Sequence, residues 1–164
     1  MAGSVPSGAV PFVDDKGKTV TNLYGRPMLR PIDRPPSFFT SRGNQDKIVG
    51  RVSGALGEMG ALADDAYEVA QLSQFRQNGP WDVQRIKGVE HPEFIDYASV
   101  AIGLYCASAG ILFAAIMLLQ NQYAARRSHF PRSVPMDGTY KHLPERNVFN
   151  TRLGYTLYDS GRIK

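Results

Sequence analysis

Cysteine is nearly missing from this chain: Cys106 is the only one in 164 residues. A single thiol excludes a disulfide within the chain and any metal site built from several cysteines. Histidine is scarce too. His91, His129 and His142 are the only imidazoles, and His129 and His142 are 13 apart with no cysteine or paired carboxylate at the spacing of metal ligands. No phosphate loop, nucleophile elbow or dinucleotide fingerprint occurs. These absences leave no catalytic residue, no cofactor-binding residue and no metal ligand to nominate, so a non-catalytic protein is expected. The opening MAGSVPSGAVPFVDD has no basic n-region, no long apolar run and no arginine-rich amphipathic pattern, so no leader peptide is expected there.

Charge is absent from the middle. Ala98–Leu119, ASVAIGLYCASAGILFAAIMLL, is 22 residues without a charged residue, a proline or a side-chain amide. As a helix it measures roughly 33 Å, against a hydrocarbon core of about 30 Å. In lipid every peptide N–H and C=O must be satisfied within the segment, which favours a continuous helix. The competing reading is a helix buried in a globular domain. That helix needs protein on every side, and the rest of the chain offers one other convincing helix and two proline-rich tails. The expected fold is therefore an all-α membrane protein with a single transmembrane helix.

The flanks divide accordingly. Residues 1–45 read as an extended arm, punctuated by Pro6, Pro11, Pro27, Pro31, Pro35 and Pro36, with Val20, Tyr24, Met28, Ile32 and Phe39 among its apolar anchors. Residues 46–78 read as an amphipathic, glycine-rich helix, capped by Asn44 or Asp46 and stopped at Asn78-Gly79-Pro80. Residues 79–92 are a connector containing Trp81. Residues 93–128 form the membrane helix, and 129–164 a basic extended arm, in which 147–157 could make a short helix or strand.

The net charge of +4 is unevenly placed. Residues 1–96 carry 11 Lys/Arg and 12 Asp/Glu, while residues 120–164 carry 8 and 3. That asymmetry predicts the C-terminal side on the cytoplasmic or matrix face. Tyr97 and Tyr123 flank the run as interfacial aromatics would. Arg126 and Arg127 are candidates for anionic lipid headgroups. Within the run Ser99, Gly103, Ala107, Gly110 and Ala114 follow at steps of four, four, three and four, a ridge of small residues suited to helix packing. The basic C-terminal arm is read as an orienting and docking element, and nucleic acid is not expected as a partner.

A lone span between coreless arms is similar in layout to the supernumerary subunits of mitochondrial respiratory-chain and ATP-synthase complexes. That similarity implies a non-catalytic accessory subunit of the inner membrane, clamping neighbouring subunits on both sides with its C-terminus in the matrix. A photosynthetic membrane complex fits the same layout. A rival class comes from Asn78-Gly79-Pro80-Trp81-Asp82 followed by Gly154-Tyr155 and Tyr158, which resemble segments of some bacterial polymorphic toxin domains. That resemblance implies a secreted effector.

Overall fold

Asp14 and Asn22 begin two turns of one design. Each carries a side-chain oxygen that accepts two backbone N–H groups just ahead of it: Lys16 and Lys18 for Asp14, Tyr24 and Arg26 for Asn22, all at 2.9–3.0 Å. Each turn then needs a residue at positive φ, supplied by Gly17 at +81° and Gly25 at +75°. The result is a three-pass meander whose core residues recur every eight positions, Phe12, Val20 and Met28, all at most 3 % exposed. Their backbones close a ring: Phe12 N–H donates to Met28 C=O, Met28 N–H to Val20 C=O, and Val20 N–H to Phe12 C=O, at 2.8–3.0 Å. Strand β1 (Ala9–Pro11) pairs antiparallel with β2 (Leu29–Pro31) at the open end.

The computed structural model describes residues 8–54, 73–76, 79–86, 89–117, 120 and 145–164. Within these, helix α1 (Pro36–Gly54) begins at a proline, where the missing N–H costs nothing. Two short strands, β3 (Arg85–Ile86) and β4 (Val89–Glu90), make a second antiparallel pair. A 3₁₀ turn, Pro92–Phe94, leads into α2 (Ile95–Ala109), and α3 is Glu145–Asp159. The chain is thus mixed helix and sheet, with α2 packed between α1 and α3.

The transmembrane expectation is overturned at Gly110. That residue adopts φ 80°, ψ 20°, and the bonds Gly110 N–H to Ala107 C=O and Ile111 N–H to Cys106 C=O close a Schellman motif. Fifteen residues of helix extend about 22 Å, short of a bilayer core. No helix among the described residues is long and apolar enough to cross a membrane. Residues 113–117 resume as a separate helical stretch.

Lipid is replaced by the chain's own flanks. Ten of the fifteen α2 residues are buried, and the other five are half-buried, four of them (Ile95, Ala98, Ile102 and Ala109) along one stripe. The supposed arms supply the cover. Phe12 and Phe39 pack edge-on against Tyr97 at ring distances of 5.1 and 6.2 Å. Residues 145–159 are a helix rather than an extended tail, and they bury Asn150, Thr151, Gly154 and Leu157. The final residues close back on the meander and on α1: Arg162 Nε meets Asp14 Oδ2 at 3.0 Å, and Thr40 of α1 donates to the Lys164 carbonyl. The second helix begins ten residues before the expected start, at Pro36. Asn44 and Asp46 are then mid-helix and accept hydroxyl hydrogen bonds from Tyr158 and Tyr105. Its expected continuation over 55–72 lies outside the described residues.

Close backbone approach sets the helix spacing. A Cβ on Gly43 would overlap Ser108 and the Tyr105 carbonyl. One on Gly103 would overlap the Thr151 carbonyl, and one on Gly154 the Val100 carbonyl. Helices α2 and α3 therefore cross glycine to glycine.

Candidate functional site

The N-terminal end of α2 collects the most concentrated polar group of the described residues. Asp96 is placed there by the 3₁₀ turn, with its side chain 9 % exposed. Arg146 and Asn150 are four apart on α3, so both project from the same face. Arg146 Nε donates to Asp96 Oδ1 at 2.6 Å and Nη2 to Oδ2 at 3.0 Å, a two-pronged ion pair. Asn150 Nδ2 adds a bond to Oδ1 at 2.7 Å, and Asn22 Nδ2 reaches Oδ2 at 3.3 Å from the meander. Burial pushes the Asp96 pKa up, but the hydrogen bonds from Arg146 and Asn150 outweigh it and hold the carboxyl below its usual range. The same bond raises Arg146. One atom is left over: Asn150 Oδ1 is buried with no hydrogen-bond partner.

A second group stands just upstream. His91 Nδ1 and Glu93 Oε1 are 3.1 Å apart, and the imidazole stacks on Phe94 at 5.7 Å. Arg85 bridges Asp82 at 3.3 Å and Glu90 at 3.6 Å across the β3–β4 pair. Trp81 lies against Tyr105 at 5.1 Å and Phe75 at 5.2 Å, joining an aromatic cluster that includes Phe39.

Chemically, Asp96 is a poor base, because four hydrogen bonds stabilise its charged form and occupy its lone pairs. It acts as a pin that fastens meander, α2 and α3 together. Among the described residues no three of His, Cys, Asp and Glu gather as a metal ion requires. The chain matches no known family, no curated protein and no solved structure. The site therefore speaks only through its own geometry.

The residues expected to pack as one ridge are divided by the structure. Gly103 is at the crossing with α3 and Ser99 is buried beside it in sequence; Ala107 is half-buried. Gly110 is the cap of the helix, and Ala114 is exposed beyond it. Arg126, Arg127 and Tyr123 lie outside the described residues, as do His129 and His142. Tyr97 is no interfacial aromatic: it is fully buried, donates to the Arg34 carbonyl at 2.8 Å, and has its phenol pKa pushed well up by that burial. The Asp96 pin was missed. Its only sequence trace is the four-residue spacing of Arg146 and Asn150, and nothing local ties that pair to an acid fifty positions away.

Proposed function

We propose that the chain is a non-catalytic assembly component that stabilises a larger complex by docking against neighbouring subunits. The observation that carries this reading is the second half of the apolar run. Past the Gly110 cap, Ile111, Ile116 and Met117 are buried and Phe113 is half-buried under Tyr155 and Arg152, but between them Leu112 is 73 % exposed and Ala114 and Ala115 are exposed. A contiguous apolar strip is a feature of surfaces that meet a partner. The polar groups capable of chemistry support the same reading, since Asp96 and Arg146 are engaged with each other. The inner-membrane location and the lipid contacts rested on the span, and no described residue now argues for them.

Chemical cross-linking in the native cell, followed by sizing of the products, tests the assembly role. The chain is expected in adducts much larger than itself, and Leu112→Lys with Ala115→Lys should release it while leaving its melting temperature unchanged. A chain that stays monomeric at its native abundance contradicts the reading.

One observation favours an effector as the second reading. The segments resembling polymorphic toxin domains converge on the central helix although they are far apart in sequence. Trp81 lies tilted against Tyr105, Gly154 packs on Val100, and the Tyr155 hydroxyl donates to the Ile111 carbonyl at 3.1 Å, while Tyr158 bonds Asn44 of α1. Induced expression in a bacterial host separates the two readings: growth arrest supports an effector, and undisturbed growth supports the assembly component.

A further inference from the structure

Between positions 26 and 42 the chain carries four arginines, Arg26, Arg30, Arg34 and Arg42, against one acid, Asp33. Two of them are stacked on the same ring. The guanidinium carbon of Arg42 lies 3.5 Å from the Phe38 ring centroid and that of Arg34 lies 4.5 Å from it. The two cations are thus no more than about 8 Å apart. Like charges held this close repel, and burial together with the Arg34 charge lowers the Arg42 pKa, against an opposite pull from the Asp46 carboxylate one turn further along α1. Arg30, four residues before Arg34, spends its Nη1 on the Pro31 and Ile32 carbonyls at 3.0 and 3.5 Å.

Among the described residues the donors of Arg34 and Arg42 have few partners. Arg42 uses Nη1 on the Phe38 carbonyl at 2.7 Å, and Arg34 uses Nη1 on the Asp33 carbonyl at 3.1 Å. The Asp33 carboxylate stands 3.6 Å from that same Nη1, and both of these side chains are exposed or partly exposed. Each guanidinium lies over Phe38 and has N–H groups beyond these bonds to offer a ligand. Planar cations on an aromatic ring meet two needs of one ligand class: stacking for a base and forked donors for a phosphate. A lipid headgroup needs only the charge.

We infer that Arg34 and Arg42, presented on Phe38, form a docking point for single-stranded nucleic acid. This goes beyond the assembly reading and does not depend on it. It also departs from the expectation that nucleic acid is no partner, which weighed the C-terminal arm rather than this segment.

The test uses the full chain and a fluorescein-labelled single-stranded RNA of mixed sequence, read by anisotropy at two salt concentrations. Binding should weaken with added salt, and Arg34→Ala with Arg42→Ala should reduce affinity about tenfold and flatten the salt dependence by about one to two log units per decade. Arg152→Ala removes the same kind of charge from above Phe113, and should leave binding within about twofold of the parent. Ultraviolet cross-linking of the unmodified protein adds a readout independent of variant folding: adducts should map to residues 30–42. The inference is overturned by absence of binding at low salt, by unchanged affinity in the double variant, or by adducts confined elsewhere. Capture by anionic vesicles with no affinity for the RNA overturns it too.

Discussion

Two stretches of this chain exchange the roles their composition suggests. Residues 8–32 are rich in proline and charge, yet they place Phe12, Val20 and Met28 in the core. Ala98–Leu119 has no charge at all, yet past Gly110 it turns Leu112, Ala114 and Ala115 outward while Ile111, Ile116 and Met117 stay buried. The difference lies in how backbone polar groups are satisfied. The meander satisfies them with side-chain caps and a closed ring of three hydrogen bonds, which frees one apolar side chain in eight to point inward. The apolar run satisfies them by helix, and so presents apolar surface in every direction until its cap.

The sharpest way to break this comparison is at the glycine crossing. Gly154→Leu should cost at least about 3 kcal/mol, because the added side chain meets the Val100 backbone rather than a movable group. Thermal melts followed by circular dichroism measure it. If α2 were packed against something other than α3, the substitution would be nearly silent.

Equality of the two regions is the next prediction. Met28→Ala and Leu104→Ala each remove a side chain at most 2 % exposed, one from the meander and one from α2. Both should lose about 2–5 kcal/mol in chemical denaturation. A Met28→Ala variant as stable as the parent would return the meander to the status of a loose arm.

Smaller still is the polar pin. Because the folded Asp96 carboxyl titrates below its ordinary value of 3.8, its contribution is complete above that value. It is lost as pH falls through the native-state pKa. Asp14 behaves in the same sense, held down chiefly by the Lys18 N–H. Asp96→Asn should therefore destabilise the protein by about 1–3 kcal/mol near neutrality. The difference from the parent should shrink below about pH 4. Denaturant midpoints taken from neutral to acid pH supply the measurement; a pH-independent difference would show that the charge is not what matters.

Least of all should Leu112→Ser matter to stability. At 73 % exposure it belongs to the surface, and a change within about 0.5 kcal/mol is expected. A larger loss would show that the strip after Gly110 is covered within the chain.

Parts of this were legible beforehand. The apolar run marked a helix over its first part, and 147–157, read as a short helix or strand, lies within α3. The solvent of the run was not legible, because hydropathy ranks residues by dislike of water and does not tell lipid from protein. Gly110 was the available hint: a glycine after Ala109 and before an apolar residue is a cap signal as well as a ridge position. The eight-residue spacing of Phe12, Val20 and Met28 was also present, hidden by prolines that mark edges and turns as readily as loose arms. The pairing of Asp96 with Arg146 and Asn150 was beyond reach, since it depends on how two helices cross.

Cys106 tests the central claim most directly, being the only thiol and fully buried in α2. In detergent-free buffer it should resist a water-soluble maleimide until the protein unfolds, with labelling and loss of helical signal sharing one midpoint. Rapid labelling of the native chain, or a chain that keeps its helices only in detergent, would mean that its own flanks are not what shields the middle from water.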